Sequence, residues 1–217
     1  MTRLELMRKH RTDKAEHRFD IPYSYLLDDH RHDVTRVLET SVKRGASLRV
    51  WEDYFPKATI FGIDINPKYA KSASHRSRVF VGSQADPELL QQVSKAADFV
   101  FDLIVDDGSH LSDDQVASLK YLWPFLKPPH GIYALEDLHA HVRFPDHYSN
   151  AECEYPPMSD MLVQHMERRL AADGCASGSP GISAYGAIAF LMKGEEGPAP
   201  DCDQFLKRAT TTTSGFS

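Results

Sequence analysis

The chain has 217 residues, 41% of them hydrophobic and 26% charged, which is long enough to bury a core unaided and argues against a mainly disordered protein. A net charge of −6, from 25 Lys and Arg against 31 Asp and Glu, disfavours nucleic acid or an anionic membrane as partner. No apolar run approaches the ~18 residues of a membrane span and the charged N-terminus lacks a secretory signal, so a cytoplasmic protein is expected. Cys153, Cys175 and Cys202 are odd in number and lack a CxxC spacing, so free thiols are expected.

Residues 1–30 are polar and punctuated by Phe19, Tyr23 and Tyr25, which suggests a short helical cap. From about residue 34 short β-branched runs alternate with helical stretches. Strands are predicted at Thr35–Thr40, Ala58–Asp64, Arg78–Gly82, Phe99–Asp106 and Gly131–Glu136. Helices are predicted at Gly45–Tyr54, Pro67–Ser74, Pro87–Ala97 and Asp113–Leu126, with Pro87 well placed at a helix start. Residues 143–160 read as a long loop and Met161–Ala172 as a helix. Ile182–Lys193 reads as one strand closing the sheet, and 196–217 as a tail. The order predicts an α/β fold: a Rossmann-like, doubly wound, mostly parallel sheet over residues 31–195 with helices on both faces. Ligands in such a fold sit at the carboxyl ends of the strands.

Four segments carry candidate chemistry. In VLETSVKRGAS (37–47) a strand ends near Glu39, and a turn with Gly45 and Ser47 leads into a helix. A cofactor would bind there, although an ordinary strand-to-helix turn fits equally well. In IFGIDINP (60–67) Asp64 follows about 20 residues later, at the spacing of a ribose-binding carboxylate; the alternative is a helix cap. LIVDDGSH (103–110) ends a strand in Asp106 and Asp107, and IYALEDLHAH (132–141) ends the next in Glu136 and Asp137. Paired carboxylates at neighbouring strand ends suit a hard cation such as Mg2+. His110 is the best general-base candidate; His139 and His141 rank below it.

Together with RTDKAEH (11–17), VGSQAD (81–86) and GIYALEDLH (131–139), these motifs resemble the Mg-dependent class I S-adenosylmethionine methyltransferases of antibiotic biosynthesis. That family includes mycinamicin- and macrocin-type sugar O-methyltransferases. The resemblance covers roughly residues 10–140 and implies Asp107, Glu136 and Asp137 as Mg2+ ligands, with His110 as base. It implies Asp64 at the ribose and Glu39, Thr12, Lys14, Gly45 and Ser47 on the cofactor side of the site, the last four toward the methionine end. Gln84 and Asp86 would lie near the adenine, and Asp106 beneath the sulfonium and amino group. Ser41 and Pro129-His130 depart from the family's usual glycines, and a catalytic core with a short cap, without the macrolide enzymes' long N-terminal domain, is expected. The implied acceptor is a small glycoside or aminosugar, methylated on oxygen or nitrogen, its specificity held between Arg143 and Pro180. The implied protein acts without nucleic acid or membrane, with a homo-oligomer left open. Three other readings stand beside this one: an NAD-dependent oxidoreductase, a metal-dependent hydrolase, and a non-catalytic cofactor-binding module.

Overall fold

A computed structural model describes residues 1–148, 153–171 and 181–194. Cys175, Cys202 and the tail expected at 196–217 lie outside the described residues. Five parallel strands form most of a seven-stranded sheet: β1 (Arg36–Thr40), β2 (Thr59–Asp64), β3 (Ser77–Val81), β4 (Leu103–Asp106) and β5 (Ile132–Leu135). Two antiparallel strands complete it, β6 (Gly181–Tyr185) and β7 (Ile188–Met192), giving the order β3-β2-β1-β4-β5-β7-β6. Both β4 (LIVD) and β5 (IYAL) are buried along their whole length, as expected of parallel strands covered on both faces. β1 pairs with β2 on one side and β4 on the other. The strand order therefore reverses there, which opens a crevice at the carboxyl ends.

The helices are α1 (Arg3–His10), α2 (Asp20–Leu27), α3 (Ala46–Tyr54), α4 (Pro87–Ala96), α5 (Ser112–Leu122), α6 (Ala140–Arg143), α7 (Pro145–Tyr148) and α8 (Met158–Ala171). Leu90 and Val93 of α4, Leu119 of α5 and Met161 of α8 share one buried cluster. Met7, Tyr23 and Trp51, from α1, α2 and α3, share the other with Phe190. The N-terminal segment thus covers one side of the core. A reciprocal capping box starts it, Thr2 accepting from the Glu5 N–H and Glu5 from the Thr2 N–H.

Three local expectations are corrected. The single strand predicted over Ile182–Lys193 is a hairpin turning at Gly186, whose φ is +57°. The apolar Ile188–Leu191 run is buried next to β5, while β6 is partly exposed at the edge. The strand predicted from Phe99 begins at Leu103, because Asp98 and Phe99 adopt left-handed backbone conformations with φ +52° and +56° that no strand accommodates. The loop predicted over 143–160 contains α7 and the start of α8. Among the described residues no helix is long and apolar enough to cross a membrane.

Candidate active site

Two adjoining cavities open at the carboxyl ends of the parallel strands and share Ser41. One, of about 160 Å³, is lined by Asp64, Gly82, Gln84, Gly108 and Asp114. The other, of about 270 Å³, is lined by Thr12, Lys14, Lys43, Ser47 and Asp107. The β1–α3 turn between them is tight: Ser41, Lys43 and Gly45 all have positive φ, and a Cβ on Gly45 would lie 2.8 Å from the Ser72 Cβ. Glycine is required there on both counts.

Asp64 is buried at the end of β2. Its two carboxylate oxygens each accept one backbone N–H, from Lys43 and Asn66, both at 2.8 Å. The helix-cap alternative does not hold, since Asn66 caps the following 3-10 turn. Each Asp64 oxygen retains a lone pair in a wall of the smaller cavity. Gln84 accepts the Ser109 N–H on Oε1 at 2.9 Å and donates from Nε2 to Asp106 at 3.0 Å. A Cβ on Gly108 would lie 1.5 Å from that Oε1, so the glycine of DDGSH exists to let Gln84 in.

Asp106 and Asp86 both have their carboxylates engaged within the fold. Asp106 is fully buried and accepts from Thr40, Gln84, Ser118 and Tyr133. It clasps β1, β4, β5 and α5 together beneath the crevice, and burial pushes its carboxyl up despite those donors. Asp86 is exposed and spends its side chain capping α4 through the Glu88 N–H. Asp106 is thus engaged by four side chains and Asp86 by one backbone N–H.

Two of the three expected metal ligands, Asp107 and Glu136, contact Lys14. Lys14, 3% exposed, inserts its ammonium between carboxylates from three strand ends. It reaches Asp107 at 2.8 Å, Glu39 at 3.2 Å, and Glu136 by a short contact. Glu136 is buried, with its other oxygen accepting the Tyr23 hydroxyl at 2.6 Å. Burial pushes Glu136 up to about 8, and Asp107 and Glu39 add to this against the pull of Lys14. Glu39 also accepts from Ser47 at 2.6 Å and Trp51 at 3.2 Å. One ammonium thus faces three carboxylates. Glu136 therefore does not join Asp107 and Asp137 in one cluster among the described residues. Asp107, His110 and Asp137 do come together, their ligand atoms all within 4.8 Å of one another.

His110 and Asp137 both adopt left-handed backbone conformations, with φ +59° and +52°, which aims them at each other across two loops. His110 Nε2 stands 4.0 Å from Asp137 Oδ2. His110 Nδ1 and Asp137 Oδ1 are buried without a hydrogen-bond partner. The His110 ring meets Tyr148 edge-on at 5.5 Å, and a narrow cleft beside it is lined by Gln115, His141, Met158 and Ser159. Tyr23, Tyr133 and Ser118 were missed by sequence reasoning. They sit at apolar-patterned or helical positions, and nothing local signals their carboxylate partners.

No protein-family model matches the chain. It is 31% identical to mycinamicin VI 2''-O-methyltransferase of Micromonospora griseorubida, over 85% of this chain and 50% of that protein. It is 34% identical to an 8-demethyl-8-(2-methoxy-alpha-L-rhamnosyl)-tetracenomycin-C 3'-O-methyltransferase of Streptomyces olivaceus, over 61% of this chain and 36% of that protein. The chain spans half or less of the length of these relatives. The MycE methyltransferase of mycinamycin biosynthesis, solved with Mg, SAH and mycinamycin VI, superposes with a TM-score of 0.75 at 27% identity. That match covers 97% of this chain and 60% of that one. Sequence and a Rossmann-like methyltransferase fold together make this chain a relative of the sugar O-methyltransferases of antibiotic pathways.

Proposed function

We propose that the chain transfers a methyl group from S-adenosylmethionine to a sugar hydroxyl of a glycoside. The observation that carries this reading is the pair of adjoining cavities at the switch point, running from Asp64 to the Asp107–His110–Asp137 group. The relatives' own names supply the acceptor class. Asp64 accepts the ribose hydroxyls on its remaining lone pairs. Thr12, Ser47 and the turn at Gly45 border the methionine half. Gln84 borders the adenosine half. The acidic surplus at Lys14 faces the cationic sulfonium and amino group.

In the reaction the acceptor oxygen attacks the methyl carbon, the carbon–sulfur bond breaks, and S-adenosylhomocysteine leaves. His110 takes the hydroxyl proton, worth about 10²–10⁴-fold in rate, and Asp137 stabilises the imidazolium. Asp107 and Asp137 would hold Mg2+, which when bound would polarise the acceptor hydroxyl. Glu136 serves instead to anchor Lys14 and Tyr23. Tyr148, His141, Met158 and Ser159 border His110 and select the acceptor.

Calorimetry with S-adenosylhomocysteine and with NAD, each with Mg2+ or EDTA, tests the class. Tight S-adenosylhomocysteine binding without NAD binding is expected; NAD binding, or neither, overturns it. A panel of neutral glycosides and aminoglycosides then separates O- from N-methylation. His110→Ala is expected to lower kcat by about 10²–10⁴-fold with S-adenosylhomocysteine affinity retained. Equal loss in both would make His110 a structural residue.

A further inference from the structure

His17, Asp137 and His139 form a second grouping whose ligand atoms all lie within 4.8 Å of one another. His17 follows the 3-10 turn at Asp13–Ala15 that carries Lys14, while Asp137 and His139 lie in the loop after β5. The His17 ring stacks on buried Phe19, centroids 5.4 Å apart. The His17 and His139 rings are tilted by 54° with centroids 5.9 Å apart, which is not a stacked pair. Asp137 Oδ1 and His139 Nδ1 are both buried and lack a hydrogen-bond partner, and leaving such groups unpaired costs about 1–3 kcal/mol each. Asp137 Oδ2 faces His110, so the other oxygen remains for this side.

We propose that His17, Asp137 and His139 bind a divalent cation of the Zn2+ class, clamping the N-terminal segment to the loop after β5. Two imidazoles and one carboxylate suit Zn2+ rather than Mg2+, which prefers an octahedral shell of oxygens. Metal–ligand distances of about 2.0–2.2 Å put neighbouring tetrahedral ligand atoms about 3.4 Å apart. Closure from at most 4.8 Å is within reach of His17, the exposed member of the group. Three protein ligands leave one position for water or a ligand oxygen. Asp137 is common to this site and to the Asp107–His110–Asp137 group, so Zn2+ competes there with any cation that needs Asp137. The site stands whether or not the chain transfers methyl groups.

The test uses the whole chain stripped of metal, titrated with Zn2+ by calorimetry and with Co2+ by visible absorption. One equivalent is expected, with the intense band of a four-coordinate Co2+ site. His17→Ala and His139→Gln are each expected to weaken binding by at least about tenfold and to remove that band. Zn2+ should raise the Tm of the native chain but not of folded His17→Ala, with folding checked by circular dichroism. His110→Ala should leave the Co2+ band in place. The proposal is overturned if no ion binds, if both histidine variants bind as the native chain does, or if His110→Ala alone removes the band. Since S-adenosylhomocysteine binding is read separately, failure of this site and failure of the methyltransferase reading are distinguishable.

Discussion

The two ends of the parallel strands hold their acids in opposite ways. At the amino ends, Asp102 accepts from the Thr35 and Arg36 N–H groups at 2.7 and 3.0 Å, from the Thr35 hydroxyl at 2.9 Å and from Lys127 at 2.9 Å. A cavity of about 360 Å³ opens beside it, lined largely by apolar groups such as Leu26, Leu27, Val34, Ile132 and Met192. At the carboxyl ends the cavities are smaller, but the Lys14 ammonium is shared by Glu39, Asp107 and Glu136. The larger void is electrostatically finished and the smaller ones are not. Uncompensated charge, rather than volume, marks where a cationic ligand belongs.

Removing the central cation breaks this contrast most severely. Lys14→Met leaves the buried carboxylates without their cationic partner, and a loss of about 3–5 kcal/mol in denaturant unfolding is expected. A loss below 1 kcal/mol would mean the cluster is solvated or proton-shared. At the other end, Asp102→Asn is expected to cost about 1.5–3 kcal/mol near neutral pH. Burial alone would raise Asp102, but Lys127, Thr35 and Arg36 together hold it below its ordinary value of 3.8. The unfolded chain therefore takes up this proton at a higher pH than the folded one. The stabilisation is present above about pH 4 and fades as pH falls through the lowered folded value. Native and Asp102→Asn stabilities should converge in acid; parallel curves would show that Asp102 does not titrate with folding.

Gly108→Ala sharpens the comparison within the carboxyl end. Its Cβ collides with Gln84, so a cost of about 1–3 kcal/mol and weakened S-adenosylhomocysteine binding are expected. Unchanged affinity would detach Gln84 from the cofactor. The smallest effect belongs outside both networks. Lys9 pairs with Asp53 at 2.7 Å on the surface, both partners over a third exposed, and Lys9→Ala should shift stability by less than about 0.5 kcal/mol.

Much of the scaffold was legible in the residues. β1, β2, β4 and β5 lie inside predicted ranges because continuous apolar runs bounded by turn chemistry leave few alternatives. Acids following such runs necessarily reach the carboxyl edge, which is why Asp64, Asp107 and Asp137 stand where a ligand can meet them. What each acid does there was not legible. Asp106 and Asp107 are adjacent, yet one is a buried clasp and the other lines a cavity. Asp86, placed near the adenine by the resemblance, caps α4 through the Glu88 N–H.

Period and run length by themselves determined the alternation of strands and helices, the location of the crevice, and the stock of carboxylates and histidines at its rim. Only the tertiary structure decided that the last strand is a hairpin, that Lys14 and Tyr23 claim Glu136 from 122 and 113 residues away, and that His17 meets Asp137. Strand pattern depends on neighbours a few residues apart, whereas the partner of a buried charge is set by packing across the whole chain. Desolvation makes that partner obligatory without encoding it locally.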